Sequence, residues 1–64
     1  MSEHDVMAIS VSETARRLGV SRPTVYQLIR REDFPAFKIG NRTLISVEGL
    51  HDWIGRQQRA SVIS

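Results

Sequence analysis

The chain has no cysteine, so neither a disulfide nor a thiolate metal site can supplement its core. Its two histidines, His4 and His51, stand far apart and outside any ligand spacing, so no metal and no other cofactor is expected. No apolar run approaches the roughly 18 residues of a membrane span. The opening Met1-Ser2-Glu3-His4-Asp5 lacks the basic and apolar regions of a signal peptide. These absences predict a soluble, cytoplasmic protein that engages no membrane. Length is scarce too: the 64 residues allow one thin core, because a chain of this size hides only about 60% of the surface it exposes when unfolded. Ser, His and Asp all occur, but nothing arranges them as a triad and so small a fold offers no oxyanion pocket. An enzyme is not expected.

The net charge at pH 7 is only +2, but it is unevenly distributed. Met1 to Glu13 contains three acids and no Lys or Arg. Thr14 to Arg42 contains seven basic residues, Arg16, Arg17, Arg22, Arg30, Arg31, Lys38 and Arg42, against Glu32 and Asp33, an excess of five. A basic stretch between less basic ends is what a polyanion partner selects. It is equally what a solvated arginine-rich surface looks like, so the motifs decide.

Met1 to Ala8 shows no periodicity and reads as an N-terminal arm, 1–8. Ser10 followed three residues later by Glu13 is a capping box, in which the hydroxyl accepts the Glu13 N–H and the carboxylate reaches back to the Ser10 N–H. A helix over about 11–18 follows, with Val11, Ala15 and Leu18 on one face and Gly19 as its stop. Val20, apolar inside the connection, is placed to plug the core and fix the angle between two helices. Ser21 caps a second helix over about 22–31, with Pro23 in its first turn and Val25, Leu28 and Ile29 on its apolar face.

After Asp33 the period changes. Two β-prone runs, Phe34 to Ile39 and Arg42 to Ile45, flank Gly40-Asn41 and predict a hairpin over about 36–45. Ser46 caps a third helix over about 47–55 containing Leu50, Trp53 and Ile54, with Glu48 near its positive end. Gly49 and Gly55 are its weak points: the helix stops or frays at Gly55, or runs on into Arg56 to Arg59. Ending it at 55 gives a domain over 9–55 and a tail over 56–64. Trp53, Phe34 and Phe37 are expected in the core, and His51 on a solvated face.

The plan is mainly α with a small β-hairpin: helix, short turn, helix, two-stranded wing, helix, a winged helix-turn-helix. A major groove about 12 Å wide admits one α-helix, whose first turns face base edges. On the second helix, behind Pro23, the residues suited to bases are Arg22, Thr24, Gln27 and Arg30. Arg16, Arg17, Tyr26 and Arg31 suit phosphates by their reach, and Lys38, Asn41 and Arg42 on the wing suit the adjacent backbone or minor groove. Tyr26 sits at the edge of the apolar face, where its ring can pack while its hydroxyl meets a phosphate.

The run SVSETARRLGVSRPTVYQLIRRE, followed by FPAFKIGNRTLI and VEGLHDWI, resembles the excisionase-type DNA-binding domain, a small relative of the MerR-type winged helix. The likeness spans Ile9 to Ile54, with Gly49 where such domains usually carry an acid and Glu32-Asp33 where a glycine-containing turn is common. It implies a recombination directionality factor of a prophage or mobile element in a bacterial host. Such a factor binds repeated double-stranded DNA sites side by side, self-associating cooperatively, bends the DNA and assists a tyrosine-type integrase. The same domain also serves small prophage-type transcriptional regulators, the alternative expectation, and an adaptor for an acidic protein partner is a third. Only ten residues follow Ile54, so a ligand-sensing regulator with a long dimerising helix is not expected.

Overall fold

Ser10 is the residue at which extended chain turns into helix. In the computed structural model, which describes residues 6–60, strand β1 (Ala8–Ser10) runs directly into helix α1 (Val11–Leu18). Ser10 keeps extended angles, φ −74° and ψ 169°, while its Oγ accepts the Glu13 N–H at 3.1 Å. Half of the expected capping box is made. The other half is not, because the Glu13 carboxylate turns outward to Arg16 and Arg17. Thr14 donates its hydroxyl to the Ser10 carbonyl at 2.8 Å and is wholly buried, a core position that its polar type did not advertise.

Gly19 closes α1 with φ 74°, its N–H reaching the Ala15 carbonyl at 2.9 Å and that of Val20 reaching the same carbonyl at 3.0 Å. This paired closure completes the turn with backbone alone. Val20, expected to plug the core, is instead 39% exposed. Helix α2 (Arg22–Ile29) is capped by Ser21, with Pro23 in its first turn. It ends two residues before the expected Arg31, because the N–H groups of Arg30 and Arg31 tighten onto the carbonyls three residues back, Gln27 and Leu28.

The hairpin forms with the expected loop. Strands β2 (Ala36–Ile39) and β3 (Arg42–Ser46) pair Ile39 with Arg42, Lys38 with Thr43, Phe37 with Leu44 and Ala36 with Ile45. Gly40 has φ 61° and no non-glycine residue among those described has a positive φ, so the two-residue turn asks for left-handed freedom only at Gly40. The third strand is the addition. β1 pairs antiparallel with β3, Ile9 opposite Ile45 and Ser10 opposite Leu44, giving the order β1-β3-β2. Ala8, expected in the arm, is therefore part of the sheet, and the Met7 carbonyl accepts the Val47 N–H at 2.9 Å. Residues 1–5 of the expected arm lie outside the described residues, as do 61–64 of the expected tail.

Helix α3 spans Val47–Ala60, five residues beyond the expected end, so 56–60 are helix rather than tail. Ser46 caps it, its Oγ accepting the Gly49 N–H at 3.0 Å. Gly55 does not stop it, since buried Leu50 and Trp53 and half-buried Ile54 hold the helix against the core, outweighing a propensity deficit of about 1 kcal/mol. Gly49 has a packing reason: a Cβ there would stand 2.6 Å from the Pro35 Cβ.

The core collects Ile9, Val11, Ala15, Val25, Phe34, Ile45, Leu50 and Trp53. Phe34 meets Trp53 edge-on, centroids 4.9 Å apart at 84°, the geometry ring quadrupoles favour. Phe37, expected inside, is 41% exposed. Adjacent strand residues face opposite ways, so placing Ala36 beside buried Ile45 turns Phe37 outward with Leu44.

Candidate nucleic-acid interface

Burial decides what α2 can present. Val25 is wholly buried and Leu28 and Ile29 pack beside it, which leaves Arg22, Pro23, Tyr26, Gln27 and Arg30 exposed. Thr24 differs from its neighbours: it is half-buried, its N–H donates to the Ser21 hydroxyl, and its own hydroxyl shares a hydrogen bond of 3.0 Å with that group. Thr24 thus serves the start of the helix, while Arg22, Gln27 and Arg30 project from it. Arg22 also donates to the Ser12 hydroxyl at 3.4 Å, joining the second helix to the first turn of α1.

The seven cations of the basic stretch divide into two groups. Glu13 accepts from Arg16 Nε at 3.1 Å and from Arg17 Nε at 2.7 Å, spacings that helix periodicity brings onto one face. These arginines, Arg16 first and Arg17 next, hold the Glu13 carboxyl down at about 2, and Glu13 in turn raises Arg16. Arg31 grips Asp33 in two parallel bonds of 3.0 and 3.1 Å, lowering the carboxyl and raising the guanidinium. Among the described residues, no ion pair involves Arg22, Arg30, Lys38 or Arg42. Within the basic stretch, positive charge without an acidic partner thereby falls on α2, its C-terminal cap and the wing, and Arg56 and Arg59 on α3 are likewise in no ion pair. The paired arginines are solvent-exposed, so a phosphate competes readily for them.

On the wing, Lys38, Asn41 and Arg42 are all exposed. The register puts Lys38, two residues from Ala36, on the face that Ile45 occupies, while Arg42 lies opposite Ile39 on the other. The two cations therefore straddle the hairpin.

The fold brings Tyr26, Asn41 and Arg42 together. They line a solvent-open notch of about 270 Å³ with Ser10, Val11, Ser12 and Thr43. Ser10 pairing with Leu44 is what sets the first turn of α1 beside the wing. Ser12 was not expected at this surface: its place there depends on the β1–β3 pairing, for which the sequence carries no local signal. Gln27 and Arg30 are not among the residues of the notch, and neither is Lys38.

Elsewhere, His51 is exposed as expected, and among the described residues no three His, Cys, Asp or Glu side chains gather as metal ligands. No helix among them is long and apolar enough to cross a membrane. No curated protein and no solved structure matches the chain. The profile of a family described as a helix-turn-helix domain matches residues 8–58.

Proposed function

The chain belongs to the helix-turn-helix domain family, which includes excisionase-like DNA-binding proteins, and from that premise we propose that it is a recombination directionality factor. It binds double-stranded DNA at specific sites, with α2 in the major groove and the wing against the neighbouring backbone or minor groove. Arg22, Gln27 and Arg30 meet base edges, and Tyr26, Lys38, Asn41 and Arg42 meet the sugar-phosphate frame. Copies bound side by side bend the DNA and help a tyrosine-type integrase to assemble the excising complex. The protein itself performs no covalent chemistry and works in the cytoplasm, on the nucleoid.

One observation carries the proposal: of the six described cations without an acidic partner, four, Arg22, Arg30, Lys38 and Arg42, lie on α2, at its C-terminal cap and on the wing, the two elements that a winged helix applies to DNA, and the other two, Arg56 and Arg59, lie on α3. So small a module makes few contacts, so affinity is gained from adjacent copies or from the integrase. A gel shift with duplex DNA in low salt at micromolar protein is the first test, and no shift on any duplex sinks DNA binding. An excision assay with a tyrosine-type integrase and its attachment sites is the second. Faster excision supports the directionality role; promoter repression or activation with unchanged excision assigns the chain to transcriptional regulation.

A further inference from the structure

We propose that the notch between α1, α2 and the wing holds a single phosphodiester of the DNA backbone, clamping helix-turn-helix and wing onto one point of the duplex. The inference rests on the DNA-binding reading and adds to it a defined ligand atom group and a coupling between two elements.

The lining of the notch points to an anion. It contains no carboxylate, and the nearest acid in sequence, Glu13, is held by Arg16 and Arg17. Residues that carry donors line it from three elements: Ser12 on α1, Tyr26 on α2, and Asn41 and Arg42 on the wing. Arg42 has no acidic partner among the described residues, so its charge is available. Hydroxyl and guanidinium side chains sharing one lining suit the tetrahedral oxygens of a phosphate, and about 270 Å³ accommodates the group with adjoining sugar atoms. The notch is open to solvent and has Tyr26 in its wall, on the helix face that also exposes Gln27 and Arg30. A strand bordering the groove that α2 enters therefore passes its mouth.

One phosphate touched by both α2 and the wing makes their contributions interdependent. Once Arg42 is gone the phosphate is no longer drawn into the notch, and Tyr26 has little left to lose. Binding of a defined duplex in low salt is measured for the wild-type chain, Tyr26→Phe, Arg42→Ala and the double variant. Both side chains are exposed, and circular dichroism checks that each variant is folded. Each single substitution is expected to weaken binding about tenfold, and the double variant to lose little more than the larger single loss. Losses that multiply to about a hundredfold overturn the clamp, because the two residues then touch different phosphates. Unchanged binding in either single variant overturns it as well.

A second probe separates backbone from free phosphate. Amide shifts at Ser12, Tyr26, Asn41 and Arg42 that follow added duplex but not millimolar inorganic phosphate support the clamp. Saturation by inorganic phosphate, with the same amides indifferent to duplex, overturns it. Absence of all duplex binding by the wild-type chain removes the DNA reading and the clamp together, whereas binding without coupling removes only the clamp.

Discussion

Gly49 lies so close under Pro35 that a Cβ on the glycine would stand 2.6 Å from that of the proline, with the Ser46 Oγ at 3.2 Å. In an open helix, Gly→Ala gains about 1 kcal/mol. Here overpacking costs about 1–3 kcal/mol, against a rigid ring and the group that caps α3. Gly49→Ala is therefore expected to lower the melting temperature. Gly55→Ala, whose new carbon would meet only the end of the Arg59 side chain at 3.7 Å, is expected to raise it by a few degrees. Thermal denaturation of the two variants checks the contrast, and equal shifts of one sign would refute it.

Glu13 provides a pH signature. Its folded-state value of about 2 lies below the ordinary 4.5, so the favourable contacts with Arg16 and Arg17 are complete above about 4.5 and fade as pH falls toward 2. A carboxyl-carbon NMR titration should place the Glu13 midpoint well below that of an unperturbed glutamate. A midpoint near 4.5 means that the arginines do not hold it in solution.

Release of the same pair bears on DNA affinity. Glu13→Gln frees Arg16 and Arg17 from their counter-charge, and each phosphate newly neutralised steepens the dependence of log affinity on log salt by about 0.9. Tighter binding at low salt with a steeper slope is the expected result. Identical slopes for wild type and variant leave both arginines off the DNA.

At the two ends of α2, Arg22→Ala and, at its C-terminal cap, Arg30→Ala should each cost about 1–3 kcal/mol of binding and relax base preference at one position. Arg42→Ala should weaken binding alike on all sequences. Competition binding against a library of single-base variants separates the cases: uniform loss for Arg22 or Arg30 makes them backbone contacts, and a changed preference for Arg42 makes it a base contact.

Ile45 tests the core. It is wholly buried between Ile9 and Ala36 on the central strand. Ile45→Ala should cost about 2–5 kcal/mol, a large fraction of what so small a domain possesses, whereas Ile45→Val should cost about 0.5–1.5 kcal/mol. Urea unfolding of both variants measures it, and near-equal midpoints would contradict the packing.

What the sequence disclosed was what is local. Ser10, Ser21 and Ser46 each sit at the start of a helix and each accepts a backbone N–H three residues on, an arrangement visible at short range. Gly40 marked the hairpin for the same reason. Position within the sheet was not local. Ala36 and Phe37 are both apolar, so their alternation says nothing about which one enters the core, and the pairing of Ala36 with Ile45 decides it. Three residues of β1 are too few to show a period, and their partners lie far along the chain. The cations were legible as types, and the Glu13 pairs followed helical spacing. The Arg31–Asp33 grip depended on how the chain turns after α2.

The short β1 strand also carries a consequence for folding. By pairing Ser10 with Leu44, it closes a loop that contains both α1 and α2 and the whole hairpin turn. Loop closure is gained late and at an entropic cost that the local elements do not share. Three paired residues of an edge strand and the Met7–Val47 hydrogen bond secure this seam, so its opening is expected to precede loss of the helices and the hairpin. Amide hydrogens along β1 should exchange before those of α1 or the β2–β3 ladder, with wing and helices parting company while each is still formed.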